Sequence, residues 1–199
     1  MDTAITIVLV IAAYLLGSVS SAIVVCRFMG LADPRTLGSG NPGATNVLRT
    51  GSKKAAAVTL IGDLLKGLLP VLAARYLQLG DPAVGAVGLA TFCGHVYPLY
   101  YGFKGGKGVA TAFGVLIALD WGVALLGAAT WLAVAAITRI SSLAALASSL
   151  LAPVYVYWLT HSPALAIFTG VIAIVICWRH RGNIRNLLRG TESRIGKGA

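Results

Sequence analysis

From Ile5 to Val25 the chain runs without one charged residue, and comparable stretches recur to its end. A helix needs about 20 consecutive apolar residues to cross the hydrocarbon core of a bilayer. Runs of that length dictate the fold class. Inside lipid every backbone N–H and C=O must be paired internally, and a helix does so within a single segment. Of 199 residues, 57% are apolar and 11% charged, where a soluble domain has roughly half and a quarter. These figures exclude a soluble enzyme, a disordered chain and a coiled coil. The expectation is an all-α fold, a polytopic membrane helix bundle, with residues 1–199 forming one integral membrane domain.

The first apolar run has no Lys or Arg before it and Arg27 after it. It therefore lacks the basic n-region of a cleaved signal peptide and reads as a retained helix with its N-terminus outside. Further spans run from about Ala55 to Leu77, Ala83 to Tyr101, Ser142 to Leu159 and Ala164 to Trp178. The stretch 109–138 is interrupted by Asp120. Read as one helix it gives six spans. Read as a short helix to Leu119 and another from Trp121 it gives seven, the short one rising only ~16 Å. Charge favours seven. Arg27, Arg35, Arg49, Lys53, Lys54, Lys104, Lys107, Arg139 and the tail then lie inside, with Asp2, Asp81 and Asp120 outside, a sharp positive-inside bias. The net charge of +10, from 16 Lys+Arg against 6 Asp+Glu, reflects this bias and not a nucleic-acid partner. Cys26, Cys93 and Cys177 form no zinc spacing and no disulfide framework, and read as small buried hydrophobes.

Three segments carry unusual chemistry, and this topology brings them to one face. The first, Gly38-Ser39-Gly40-Asn41-Pro42-Gly43-Ala44-Thr45-Asn46-Val47-Leu48-Arg49, matches G-x-G-x-x-G but follows a membrane helix and not a strand, so it is no dinucleotide fingerprint. Its glycines still allow backbone N–H groups to turn toward an anion. Ser39, Asn41, Thr45 and Asn46 add neutral donors, and Arg49 a planar fork suited to phosphate. The bland alternative is a turn before a capped helix. The second, Gly102-Phe103-Lys104-Gly105-Gly106-Lys107-Gly108-Val109-Ala110-Thr111, is not a Walker A motif: Tyr101 stands where Gly is required and Gly108 where Ser or Thr is required. It does open onto a helix N-terminus, whose free N–H groups suit phosphate. The alternative is two positive-inside lysines in a flexible loop. The third runs from Arg179-His180-Arg181-Gly182-Asn183 to Glu192. His180 and Asn183 share a face if the last helix continues, although a basic tail can simply bind acidic headgroups.

Weaker features complete the set. His95 lies near the inner end of the third span, and a lone intramembrane His is either structurally satisfied or functional. Asp63 and Lys66 sit at i,i+3 inside the second span, as an ion pair orienting helices would. Ser141 and Ser142 follow Arg139 at a corner where Ser is usually a cap. The acids Asp33, Asp63 and Glu192 are scattered, so no site for Mg²⁺ is expected, and no cofactor. The cationic face would hold anions, with lipid entering sideways.

These residues closely resemble the signature motifs of the bacterial membrane acyl-phosphate:glycerol-3-phosphate acyltransferases, the PlsY family. The match covers Gly38 to Arg49, Gly102 to Thr111, and His180, Asn183 and Glu192. It extends to Asp63-Leu-Leu-Lys66-Gly67, His95 and Ser141-Ser142, with no departure at a motif position. The resemblance implies transfer of an acyl group from acyl phosphate to the 1-hydroxyl of sn-glycerol 3-phosphate, on the cytoplasmic face of a bacterial inner membrane. Lysophosphatidic acid and phosphate would be the products. The implied substrate-binding residues are Ser39, Gly40, Asn41, Thr45, Asn46, Arg49, Lys104, Gly105, Gly106, Lys107, Gly108 and Thr111. His180, Ser142, Asn183, His95 and Lys104 would be catalytic, and Asp63, Lys66 and Glu192 structural. The proton acceptor is left open between His180, His95 and a phosphate oxygen of the donor. A lipid-phosphate transporter is the rival class. It would place charges in several spans, whereas here they are confined to the second.

Overall fold

A computed structural model describes residues 2–49 and 51–196. The helices are α1 (Asp2–Gly17), α2 (Ser21–Phe28), α3 (Ala44–Arg49), α4 (Lys53–Tyr76), α5 (Asp81–Val96), α6 (Val109–Leu119), α7 (Trp121–Thr138), α8 (Ser141–Thr160), α9 (Pro163–Arg179) and α10 (Arg181–Leu188). Four apolar segments are each long enough to cross a membrane: α4, α7, α8, and α5 extended by the turn that follows it. Two bent pairs, α1 with α2 and α9 with α10, pass the same length and composition test when each is taken together, giving up to six. The eleven-residue α6 is the expected short one.

Asp120 is the reason the 109–138 stretch is two helices. Its backbone is extended, which ends α6, and its carboxylate accepts the Val123 N–H at 3.0 Å, which caps α7. Ser52 caps α4 and Ser162 caps α9 in the same way. The side chain of Asp2, expected among the outer acids, lies outside the described residues.

One expectation needs correction. The first span is not one continuous helix from Ile5 to Val25: it breaks between Gly17 and Ser21 and bends by 44°. There the Ser18 hydroxyl donates back to the Tyr14 carbonyl at 2.8 Å, and Lys66 Nζ donates to the Val19 carbonyl at 2.8 Å. Polar partners at the break replace the helical ladder. The third span does reach Tyr101 as expected, its α-helix ending at Val96 and a tight turn over Leu99–Tyr101 following Pro98.

Small residues set the helix spacing. A Cβ on Gly67 of α4 would overlap the Thr111 backbone of α6, and one on Gly114 of α6 would overlap the Leu64 backbone of α4. The two helices therefore cross backbone to backbone, as lipid-embedded helices do where small residues meet. A core of Val71, Val87, Leu119, Val123, Val156 and Leu165 joins α4 to α9. Val8, Leu125, Ile137 and Ile174 point outward, the surface of a body solvated by lipid.

The long connection between α2 and α4, the 97–108 loop, the α7–α8 corner and the tail gather at one end of the bundle. Arg49 Nη2 donates to Ser193 Oγ at 2.6 Å, and the Ile195 N–H donates to the Arg139 carbonyl at 2.6 Å. These bonds fasten the tail across that end.

Candidate active site

One cavity of about 780 Å³ opens at the gathered end and descends between the helices. All three unusual segments reach it. Of the first, Ser39, Asn41, Thr45, Asn46 and Arg49 stand on its wall, while Gly40 does not. Asn46 shapes this loop. Its Oδ1 accepts the Ser39 N–H at 2.9 Å and the Ser39 hydroxyl at 3.2 Å, and its Nδ2 donates to the Pro34 and Leu37 carbonyls at 2.7 and 3.0 Å. Expected as a donor to substrate, Asn46 uses its whole amide within the protein.

The second segment is clamped from behind. Arg179 Nη2 donates to the Gly105 carbonyl at 2.7 Å and its Nε to the Gly106 carbonyl at 3.2 Å. The Gly106 N–H donates to the His95 carbonyl at 3.2 Å, and a Cβ at 106 would overlap the His95 ring. Gly108, at φ +84°, turns the chain into α6. Lys107 is thereby aimed into the cavity, where its ammonium donates to Asn183 Oδ1. Burial pushes the Lys107 pKa down, Arg49 and Arg179 add to this, and Glu192 opposes it. Lys107 and Gly108 line the cavity, whereas Lys104, Gly105 and Gly106 do not. Lys104, expected as a clamp and in catalysis, is exposed. Thr111 is fully buried off the cavity wall.

The third segment faces this loop. His180 is 3% exposed, and its Nδ1 lies 2.8 Å from the Ile176 carbonyl. A carbonyl only accepts, so Nδ1 carries the proton and Nε2 keeps a free lone pair. Burial pushes the His180 pKa down to about 4. Asn183 Nδ2 donates to Glu192 Oε1 at 2.6 Å, and the Ser142 hydroxyl donates to the same oxygen at 2.7 Å. Glu192, expected to be structural, thus links α8, α10 and the tail. Ser142, Asn183 and His180 all border the cavity.

Beneath lies a buried polar group. Lys66 Nζ and Asp63 Oδ1 pair at 3.0 Å, and His95 Nδ1 lies 3.5 Å from the same oxygen. Asp63 and His95 touch the cavity, while Lys66 turns away toward the break after α1. Among the described residues no three His, Cys, Asp or Glu side chains gather closely enough to hold a metal ion.

Sequence reasoning missed two features. Arg179 was read only as part of a basic segment, although a cation at the very end of a span can bond the backbone of a neighbouring loop. The second is the apolar limb of the cavity between α6, α7, α8 and α9, walled by residues such as Phe113, Trp131, Ala145 and Ile172. No local pattern distinguishes these from lipid-facing residues.

A family model described as glycerol-3-phosphate acyltransferase matches residues 7–190. A relative of that name from Thioalkalivibrio sulfidiphilus is 60% identical over 188 residues, covering 94% of this chain and 93% of its own. Another, from Halorhodospira halophila, is 56% identical over 191 residues, covering 96% of each. Two crystal structures of PlsY (YgiH), an integral membrane glycerol 3-phosphate acyltransferase, superpose on the fold. The glycerol 3-phosphate form has a TM-score of 0.91 at 40% identity, covering 96% of each chain. The lysophosphatidic acid form has 0.90 at 39%, covering 96% of this chain and 95% of that one. With a fold that superposes on these structures and more than half of its aligned residues shared with the two bacterial relatives, the chain belongs to the glycerol-3-phosphate acyltransferase family of integral membrane enzymes.

Proposed function

We propose that the enzyme takes its acyl group from acyl phosphate and passes it directly to the 1-hydroxyl of sn-glycerol 3-phosphate, without metal or cofactor. The products are lysophosphatidic acid and phosphate. The observation that carries this reading is the continuity of the cavity: a cationic, hydroxyl- and amide-lined end opens into an apolar limb. That shape fits two phosphate-bearing molecules meeting head to head with one fatty tail below them.

Acyl phosphate is a mixed anhydride with a good leaving group, so the chemistry asks for alignment and charge neutralisation. Lys107 and Arg49, both on the cavity wall, neutralise two anions that would otherwise repel. Ser39, Asn41, Thr45 and the Gly108 end of α6 orient the phosphates. The glycerol oxygen attacks the acyl carbon, the carbon–oxygen bond to phosphate breaks, and the hydroxyl proton must leave. His180 Nε2 accepts a hydrogen bond from that hydroxyl, but an imidazole held at about 4 is a weak base. A phosphate oxygen titrating near 6 is the stronger acceptor, so the departing phosphate takes the proton. His95 is not the base, because its ring packs between Asp63 and Gly106. It supports the second glycine loop from below.

The excess of Lys and Arg at the site's end supports a cytoplasmic assignment of that end by the positive-inside rule. The core shared by α4 to α9 supports reading the chain as one integral membrane domain. The test uses purified protein, synthetic acyl phosphate and radiolabelled glycerol 3-phosphate, with EDTA present and acyl-CoA in a parallel reaction. Product from acyl phosphate alone, unchanged by chelator, supports the reading. Product from acyl-CoA alone, or loss of product in EDTA, overturns the donor or the metal-free scheme respectively.

A further inference from the structure

The apolar limb has a floor, and all four surrounding helices build it at the same depth. The deepest wall residues are Leu116 on α6, Gly127 on α7, Ala152 on α8 and Thr169 on α9. One turn further, each helix carries a tightly packed residue: Leu119, Val123, Val156 and Leu165, none more than 2% exposed. These belong to one core cluster. The limb therefore ends where the four helices close on one another. Its length follows from helix rise: Ser142 to Ala152 on α8, and His180 to Thr169 on α9, each span about 15 Å. That is half the ~30 Å hydrocarbon core of a bilayer, the depth one lipid tail occupies.

The floor is apolar. A Cβ on Gly127 would meet Leu116 Cδ1 at 3.8 Å, an ordinary contact, with no other atom within 4 Å, so a side chain added there projects into open space of the limb. Thr169 returns its hydroxyl to the Leu165 carbonyl at 2.8 Å and offers only its methyl. Above the floor the α7 and α8 walls are opened by small residues, Ala128, Ala145 and Ser148 among them.

We propose that Leu116, Gly127, Ala152 and Thr169 are the chain-length determinants of this acyltransferase, stopping the methyl end of the acyl chain and so setting the longest chain transferred efficiently. The proposal rests on the reading that the apolar limb holds the acyl group. A surplus methylene forced against a closed floor costs about tenfold in transfer.

The experiment gives the detergent-solubilised enzyme an equimolar mixture of acyl donors from ten to eighteen carbons with glycerol 3-phosphate. The chain distribution in the product is read by mass spectrometry. Gly127→Phe raises the floor and should cut the ratio of eighteen- to twelve-carbon product by at least about tenfold. Leu116→Ala lowers the floor and should raise the same ratio, which keeps the test decisive if the larger substitution does not fold. In parallel, the Tm of each protein is measured with lysophosphatidic acids of the same chain lengths, a readout that needs no acyl donor. Stabilisation should rise with chain length up to a break, and the break should move shorter in Gly127→Phe and longer in Leu116→Ala. If the wild type makes no product from acyl phosphate yet the break moves, the donor assignment fails and the floor stands. Unchanged product ratios and an unmoved break in both variants would show that the chain leaves sideways into lipid, and would overturn the proposal.

Discussion

At the residue scale, Lys107 and His180 take different parts in the proposed reaction. Lys107 is a partly buried cation on the cavity wall, carried by a loop that Arg179 and the His95 carbonyl hold in place. Lys107→Ala is expected to lower kcat/KM by at least about a hundredfold, the usual loss when one preorganised charge donor is removed, measured with the radiolabelled acceptor. Lys104→Ala, on an exposed side chain off the cavity, should cost far less. His180 makes a sharper statement. Its folded-state pKa, about 4, lies below that of an unfolded His, near 6.5. The unfolded chain therefore takes up a proton first as pH falls, and stability drains away between about 6.5 and 4. His180→Gln should flatten the fall of Tm over that window. In the proposed reaction the His accepts a hydrogen bond and does not itself titrate in the working range. The ratio of wild-type to His180→Gln activity should therefore stay constant from pH 5.5 to 8. A ratio that rises with a midpoint near 6.5 would instead make His180 the base.

At the scale of elements, breaks and clamps matter more than the helices themselves. Asp120 stops α6 and starts α7 through one carboxylate. Asp120→Ala should lower stability by about 1 kcal/mol, and Asp120→Asn, which keeps a capping oxygen, by much less, read by thermal unfolding in detergent. Arg179 ties the end of α9 to two carbonyls of the second glycine loop. A lysine cannot present that planar fork. Arg179→Lys is therefore expected to raise the KM for glycerol 3-phosphate about tenfold while the unfolding temperature moves little. Arg179 escaped the sequence reading because a terminal Arg follows equally from positive-inside retention; only the position of the neighbouring loop tells the two apart. The kink after α1 was hidden for a similar reason. Ser18, Val19 and Ser20 are tolerable in a membrane helix, and the break is stabilised by Lys66, distant in sequence.

At the scale of the molecule, one end gathers the three glycine- and cation-bearing segments and the tail crosses it. Glu192 holds Ser142 of α8 and Asn183 of α10 on one oxygen, while Ser193 holds Arg49. Glu192→Ala leaves both donors unpaired, and the expected result is loss of activity with the bundle still folded in detergent. Glu192→Gln, which keeps an acceptor, should recover part of it. Orientation is checked separately. Single cysteines replacing Lys53 and Asp81 in a cysteine-free background should react with an impermeant thiol reagent from opposite sides of sealed vesicles, Lys53→Cys from the cytoplasmic side.

Taken by itself, the sequence determined the helical fold class, the number of apolar segments and the residue types of the headgroup end. Lipid forces backbone pairing into local helices, and phosphate demands cations, hydroxyls and free N–H groups, so both requirements are written locally. Tertiary structure decided which of those groups reach a common cavity: Lys107 does and Lys104 does not, and Asn46 serves the loop. It also decided where the apolar limb of the cavity runs between the helices. An apolar residue reads the same in sequence whether it meets lipid, a neighbouring helix or an empty channel, and only the packing of α6, α7, α8 and α9 separates the three.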